Sequence, residues 1–256
     1  MKLYAVIRIP KSGSRSLAVM VEKSLPSSHH FRIPQLSVDS PERLHPAEKF
    51  RARRRLLQGL LKYRALNAEM VWKNVSRRAR DGDIISGHMP YGMPQLPGWE
   101  LLYITLLRDP IDRVVSEYYY SRKGYLSRPH WRRLYHKGHA EIAGTKSFPD
   151  YVRYLCDHRP RFSNPALKFV TGGDDHQDPL SFLKEHYFHF GILERMDLFA
   201  RQLAQKLDAP ECQVWENKSD VMGKYMPTDA ELDLLHSLLD KDIVFYQETR
   251  QYILGI

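Results

Sequence analysis

The chain has 256 residues, 43% hydrophobic and 27% charged, the balance of a globular protein with material for one substantial core or two small ones. No apolar run reaches the ~18 residues of a membrane span, Arg8, Pro10 and Lys11 interrupt the first apolar segment too early for a secretory leader, and the two cysteines, Cys156 and Cys212, are too few for a disulfide framework, so a cytoplasmic location is expected. The net charge of +9 points to an anionic partner, whether a phosphorylated nucleotide, an acidic glycan, nucleic acid or a membrane surface, and does not choose among them.

In chain order, residues 3–9, LYAVIRI, read as a short buried strand. IPKSGSRSL supplies turn chemistry, and SRSLAVMVEKSL follows with Leu17, Met20, Val21 and Leu25 on one helical face. Residues 31–46 are proline-rich and expected to be loop. Residues 47–80 are basic with helical spacing and suggest two helices. DGDIISGHMP reads as a turn, a short strand and a loop, and Leu101–Leu107 as the clearest strand. DPIDRVVSEYYYSRK then opens a helix, with Asp109 as N-cap and Pro110 at the first helical position. Residues 122–147 are basic, aromatic and histidine-rich, without a clear period. Further on, SFPDYVRYLCDH, PLSFLKEHY and MDLFARQLAQKL read as helices, HFGIL as a strand, LKFVTGG as ambiguous, and residues 228–253 as helical. Strands alternating with helices predict an α/β fold: a single domain over 1–256 with a central, mostly parallel sheet flanked by helices, carrying a helical insert at about 41–80 and a basic aromatic insert at about 122–147.

In such a sheet, ligands bind beyond the carboxyl ends of the strands. The loop from Pro10 to Ser16 sits at one such end and leads into a helix N-terminus, where backbone N–H groups and the helix dipole favour an anion. Gly13 permits close approach, Ser12, Ser14 and Ser16 offer hydroxyls, and Lys11 and Arg15 add charge. The lysine precedes the only glycine, unlike the G-x-x-x-x-G-K-[ST] nucleotide loop, and a plain polar strand-to-helix turn has the same ingredients. A second strand end carries Arg108, with Ser116 about two helical turns on. Both could reach a second phosphate, although Arg108 could instead pair with Asp109 or Asp112. A third carries His88 between Gly87 and Pro90. Histidine is the side chain suited to take a proton near neutral pH, while a lone histidine is more often structural.

Together these stretches resemble the sulfotransferase family that uses 3′-phosphoadenosine 5′-phosphosulfate. IPKSGSRSL is similar to its 5′-phosphosulfate loop, PKTGTTSL or PKTGSTSL. LLRDPIDRVVSEYYYSR is similar to its 3′-phosphate motif, and SGHMPYG matches the place of its histidine base. The wording is closest to the carbohydrate (heparan-sulfate-type) O-sulfotransferase branch, where R-D-P-x-x-R-x-x-S-x-Y is usual. NPALKFVTGG resembles the branch's N-x-x-x-R-x-L-x-G element with Lys168 in place of Arg. HFGILERMDLFARQL resembles its G-x-x-E-R helix, and ENKSD and DKDIVFYQE its closing pattern. Arg15 and Ser12 each replace a threonine. The resemblance implies in-line sulfuryl transfer without a metal, in which the protein mainly positions groups and stabilises charge. Lys11 would stabilise the leaving 5′-phosphate. Ser12, Gly13, Ser14, Arg15 and Ser16 would belong to the loop that holds it, Arg108 and Ser116 would bind the 3′-phosphate, and His88 would deprotonate the acceptor hydroxyl.

The acceptor is expected to be a hydroxylated molecule, in the first place a glycan or small natural product, with a peptide tyrosine or a lipid also open. RARRR at 51–55 reads as a solvated helix face. In residues 122–139, Tyr125, Trp131 and Tyr135 offer stacking surfaces toward an acceptor. Nucleic acid is not expected. The pairs His136/His139 and His186/His189 have helical metal-ligand spacing but lack companion ligands; Tyr118 to Tyr120 read as core and cleft wall, and both cysteines as ordinary buried thiols. Two rivals stand: a P-loop-type nucleotide kinase, and a non-catalytic module binding anions or nucleic acid, for which His88 would be dispensable.

Overall fold

The computed structural model describes residues 1–33, 68–94, 96–133, 138–173, 175–212 and 225–256. One five-stranded parallel sheet organises them, in the order β2-β3-β1-β4-β5, with β1 at Lys2–Ile7, β2 at His30–Arg32, β3 at Asp83–Gly87, β4 at Glu100–Leu107 and β5 at Tyr187–Ile192. The expected α/β architecture is what the chain adopts.

Alternation along the strands builds two cores. Leu3, Ala5 and Ile7 of β1 face one side, which is covered by α2 (Ala68–Arg78), α8 (Pro165–Thr171), α9 (Pro179–His186) and α12 (Asp240–Leu254). Val6, Ile84, Ile104 and Leu106 face the other, against α1 (Ser14–Ser24) and α10 (Met196–Leu207). Leu17, Met20 and Val21 are the buried stripe of α1, as their spacing predicts. A strand covered on both faces reads as a continuous apolar run, which is why β1 and β4 stand out; each such side chain fully buried contributes about 1.5–3 kcal/mol. A third cluster lies among helices alone. Val114, Val115 and Tyr118 of α3 (Pro110–Leu126) meet Phe148, Tyr151 and Val152 of α6 (Phe148–Asp157) and Leu235 and Leu238 of α11 (Asp229–Leu238). Short helices α4 (His130–Arg133), α5 (His139–Thr145) and α7 (Arg159–Phe162) complete the α-helices among the described residues.

One expectation is corrected and one open reading is resolved. The loop expected from residue 31 begins inside β2, a three-residue edge strand paired with β3. The ambiguous LKFVTGG is helical, within α8. Pro165 sits at its first position and Gly172 closes it at φ 79°, where a side chain would be strained. The Asp242 carboxylate accepts from the backbone N–H groups of Ala166 at 2.9 Å and Leu167 at 2.8 Å. In return, Asn164 accepts from the Asp242 N–H at 3.0 Å through its side-chain oxygen and donates to Asp240 at 2.9 Å. Asp242 is wholly buried, which raises its carboxyl pKa against the pull of Arg113 and those two N–H groups. Of the expected 41–80 insert, only residues 68–80, which carry α2, are described; RARRR lies outside them.

His189, on β5, is buried, donates through Nε2 to the Phe199 carbonyl at 3.0 Å and stacks on the Phe199 ring. Burial drives its pKa from the ordinary 6.5 down to about 4, with the Phe199 carbonyl opposing. The folded protein therefore keeps this ring neutral where the unfolded chain takes up a proton. Its stability is fully retained above pH ~6.5 and lost progressively as pH falls toward ~4, by roughly 3 kcal/mol. Urea unfolding at stepped pH should show this slope, and His189→Asn should flatten it. An unchanged slope in that variant would place the acid sensitivity elsewhere.

Candidate functional site

Strand register brings the three expected positions to one edge. Ile7 of β1 stands opposite Gly87 of β3 and Thr105 of β4, and the Arg8 N–H extends the ladder to the Gly87 carbonyl at 2.9 Å. The residues that follow Ile7, Gly87 and Thr105 thus emerge side by side: Arg8 and the Lys11 loop in the middle, His88 on one side and Arg108 on the other.

The loop is tightly constrained. The Ser12 N–H turns back to the Ile9 carbonyl at 3.3 Å. Lys11 and Gly13 both lie in the left-handed region, at φ 65° and 66°. A Cβ on Gly13 would also come within 2.6 Å of the Leu193 side chain, so glycine is needed twice over at that point. For Lys11 the conformation costs roughly 1–2 kcal/mol. Helix α1 starts directly behind. No side chain caps its first turn and no carboxylate lies in it, the arrangement in which backbone N–H groups suit an anion. Helix α3 differs: the Asp109 carboxylate accepts from the N–H groups of Ile111 at 3.0 Å and Asp112 at 2.9 Å. At this end of the sheet α1, and not α3, therefore offers an anion its backbone. The buried Ser12 hydroxyl has no hydrogen-bond partner among the described residues, an arrangement that fits a phosphate-bearing ligand. Ser14 is half-buried, Ser16 buried and Arg15 exposed.

Arg108 ties the second strand end to the Lys11 loop. Its Nη1 donates to the Lys11 carbonyl at 3.0 Å, holding the strained residue in place. Burial lowers the Arg108 pKa, while Asp112, Glu194 and Asp109 oppose it through space. Glu194, in the 3-10 turn Leu193–Arg195 that follows β5, also accepts from the Asp109 N–H at 3.2 Å and so braces the turn that carries Arg108. Ser116 is half-buried, about two turns into α3.

His88 Nδ1 lies 2.5 Å from the Arg8 carbonyl oxygen. A carbonyl only accepts, so Nδ1 carries the hydrogen and Nε2 keeps the lone pair in the neutral ring. Burial lowers the His88 pKa and Arg8 adds to this, while the Arg8 carbonyl and Glu117 oppose. The Arg8 guanidinium donates to the Ser14 carbonyl at 3.1 Å, so one residue touches both the histidine and the start of α1. The Lys11 ammonium lies 3.9 Å from the centroid of the Tyr120 ring. Burial lowers the Lys11 pKa, with Glu117 opposing and Arg108 and Arg15 reinforcing. Arg8 and Glu117 were not singled out from sequence, and only the i, i+1 relation of Glu117 to Ser116 could have flagged it; Tyr120 was read only as core or cleft wall, and Glu194 only as part of the G-x-x-E-R resemblance.

Other expected features divide. Tyr125 is buried, packed on Gly144, where a Cβ would come within 2.1 Å of its ring, so it is no stacking surface. Trp131 is exposed, and Tyr135, His136 and the ENKSD segment lie outside the described residues. Of the tyrosine run, Tyr118 is buried and Tyr120 is 64% exposed. His186 contacts the Tyr91 and Phe182 rings, whereas His189 is buried in β5, so the pair does not act as one ligand set. Cys156 and Cys212 are half-buried free thiols, more open than expected. No helix among the described residues is long and apolar enough to cross a membrane.

A family model described as the sulfotransferase family matches residues 5–247. No curated protein matches the chain. The family match begins inside the first strand and ends inside the last helix, taking in the Lys11 loop and the other strand ends on the way, and on that extent the chain belongs to the sulfotransferase family.

Proposed function

We propose that the chain moves a sulfuryl group from 3′-phosphoadenosine 5′-phosphosulfate to an acceptor hydroxyl. The observation that carries this reading is the Arg108–Lys11 hydrogen bond, which joins two anion-suited strand ends into one site. The bound nucleotide supplies the activated sulfuryl group. Lys11, Ser12, Gly13, Ser14, Arg15 and Ser16 hold its 5′ end, with Lys11 neutralising the charge that develops on the leaving phosphate. Arg108 and Ser116 hold the 3′-phosphate. His88 takes the acceptor proton at Nε2 as the new oxygen–sulfur bond forms and the bond to the 5′-phosphate breaks. The acceptor is a glycan or small natural product, approaching from the side of the basic aromatic segment, where Trp131 is exposed. The likeness to the heparan-sulfate-type branch is in keeping with a glycan.

Thermal unfolding without added metal tests the donor site. At 100 times its dissociation constant, 3′-phosphoadenosine 5′-phosphate should stabilise the protein by about 2.7 kcal/mol, raising the midpoint by roughly 5–10 °C. 5′-AMP and ATP should do much less. An equal shift with ATP would favour the kinase reading, and no shift with any nucleotide would sink the donor assignment.

A further inference from the structure

Tyr120 has no role in the reading above, yet its ring takes the Lys11 ammonium at 3.9 Å from the centroid. Helix α3 sets this up. Tyr120 stands at i+4 from Ser116, so the serine and the ring share one helix face. Lys11 is thereby held at both ends. Arg108 fixes its carbonyl at 3.0 Å, and Tyr120 fixes its ammonium at the end of a four-carbon stem that would otherwise sample many rotamers. The ring is 64% exposed, so this contact lies at the open side of the loop rather than in the core. An aromatic face is the negative pole of the ring quadrupole and attracts a cation without neutralising it. A carboxylate in the same place would compete with the nucleotide for the lysine's charge; the ring leaves that charge available.

We propose that Tyr120 is a positioning residue for Lys11, seating the ammonium at the mouth of the anion loop where the leaving 5′-phosphate is to be neutralised. The role rests on the sulfuryl-transfer reading; the seating itself does not. The test replaces Tyr120 by Phe, by mono-, di- and trifluorinated Phe, and by Leu. Fluorination drains the ring face of electron density at nearly constant size, so a merely structural ring would not register it. Three measurements are made: single-turnover release of sulfate from 3′-phosphoadenosine 5′-phosphosulfate to water, which needs no acceptor; affinity for 3′-phosphoadenosine 5′-phosphate by thermal shift; and the NMR signal of 13C-dimethylated Lys11, assigned by its loss in Lys11→Arg.

Tyr120→Phe should keep the rate within about twofold, and the fluorinated series should fall stepwise. Tyr120→Leu should lose about three- to thirtyfold, with nucleotide affinity within about threefold. The Lys11 signal, shifted upfield by the ring in the parent protein, should return toward that of an exposed lysine in Tyr120→Leu. A flat fluorination series, or full rate in Tyr120→Leu, would overturn the proposal, as would affinity falling in step with rate, which would assign Tyr120 to nucleotide binding. A parent protein with the upfield Lys11 signal but neither nucleotide stabilisation nor sulfate release would leave the seating intact and overturn the transfer reading, and the catalytic role with it.

Discussion

His88→Ala is expected to lower sulfuryl transfer by about 10²–10⁴-fold while leaving affinity for 3′-phosphoadenosine 5′-phosphate within about twofold. The nucleotide would be held by the Lys11 loop, Arg108 and Ser116, none of which needs the imidazole. The neutral ring is the competent form, because only then does Nε2 offer a lone pair. Burial first, then Arg8, lowers the His88 pKa, and the Arg8 carbonyl and Glu117 oppose. Lowering the pKa keeps the base neutral further into acid. The acid limb of kcat/KM should therefore fall below the ordinary value of 6.5, with full rate above it. Glu117→Gln should move the limb lower still, since it removes a charge that favours the protonated ring. His88→Gln, able to keep the hydrogen bond to the Arg8 carbonyl, should be nearly as slow as alanine. Full turnover in both His88 variants would place the base elsewhere and leave the fold and family untouched.

The second large effect belongs to Lys11. Lys11→Ala should lose about 10²–10³-fold in rate, the scale of removing one preorganised group from developing charge. Its stability should change little, because alanine meets the same strain at φ 65°. Lys11→Gly separates the two effects. Glycine adopts this conformation without penalty, so that variant should be as inactive as alanine and yet unfold up to about 1 kcal/mol later. A residue that costs stability where glycine would relieve it is the pattern of a site under functional constraint. If Lys11→Gly kept activity, the lysine would be no more than a loop residue.

How much of this was legible in the sequence follows from how local each signal is. β1 and β4 are apolar runs covered on both faces, and α3 announces itself through Asp109 and Pro110; neighbouring residues carry that information. β2 has three residues and one partner strand, too little for a period to show. ALKFV in α8 reads equally well as a strand; it is helical because Asp242, far along the chain, takes its first N–H groups. The same division runs through the candidate site. Lys11, Arg108 and His88 stand out because each follows a recognisable strand. Arg8, Glu194 and Tyr120 matter through contacts that exist only once β1, β3, β4 and β5 are in register. Tyr125 misled because an aromatic among cations reads as a ligand surface, and only the bare backbone of Gly144 reveals that the ring packs inward.

The exchange between Asn164 and Asp242 bears on how the chain is made. Each residue completes the start of the other's helix across 78 positions of sequence. During synthesis the sheet strands and α8 leave the ribosome well before Asp242 does. Until it arrives, the first turn of α8 has buried donors with no acceptor, and the core beneath it cannot close at full strength. Vectorial folding can therefore assemble the sheet and α8 but not seal them, and the latch waits until α12, which follows every strand of the sheet, has emerged.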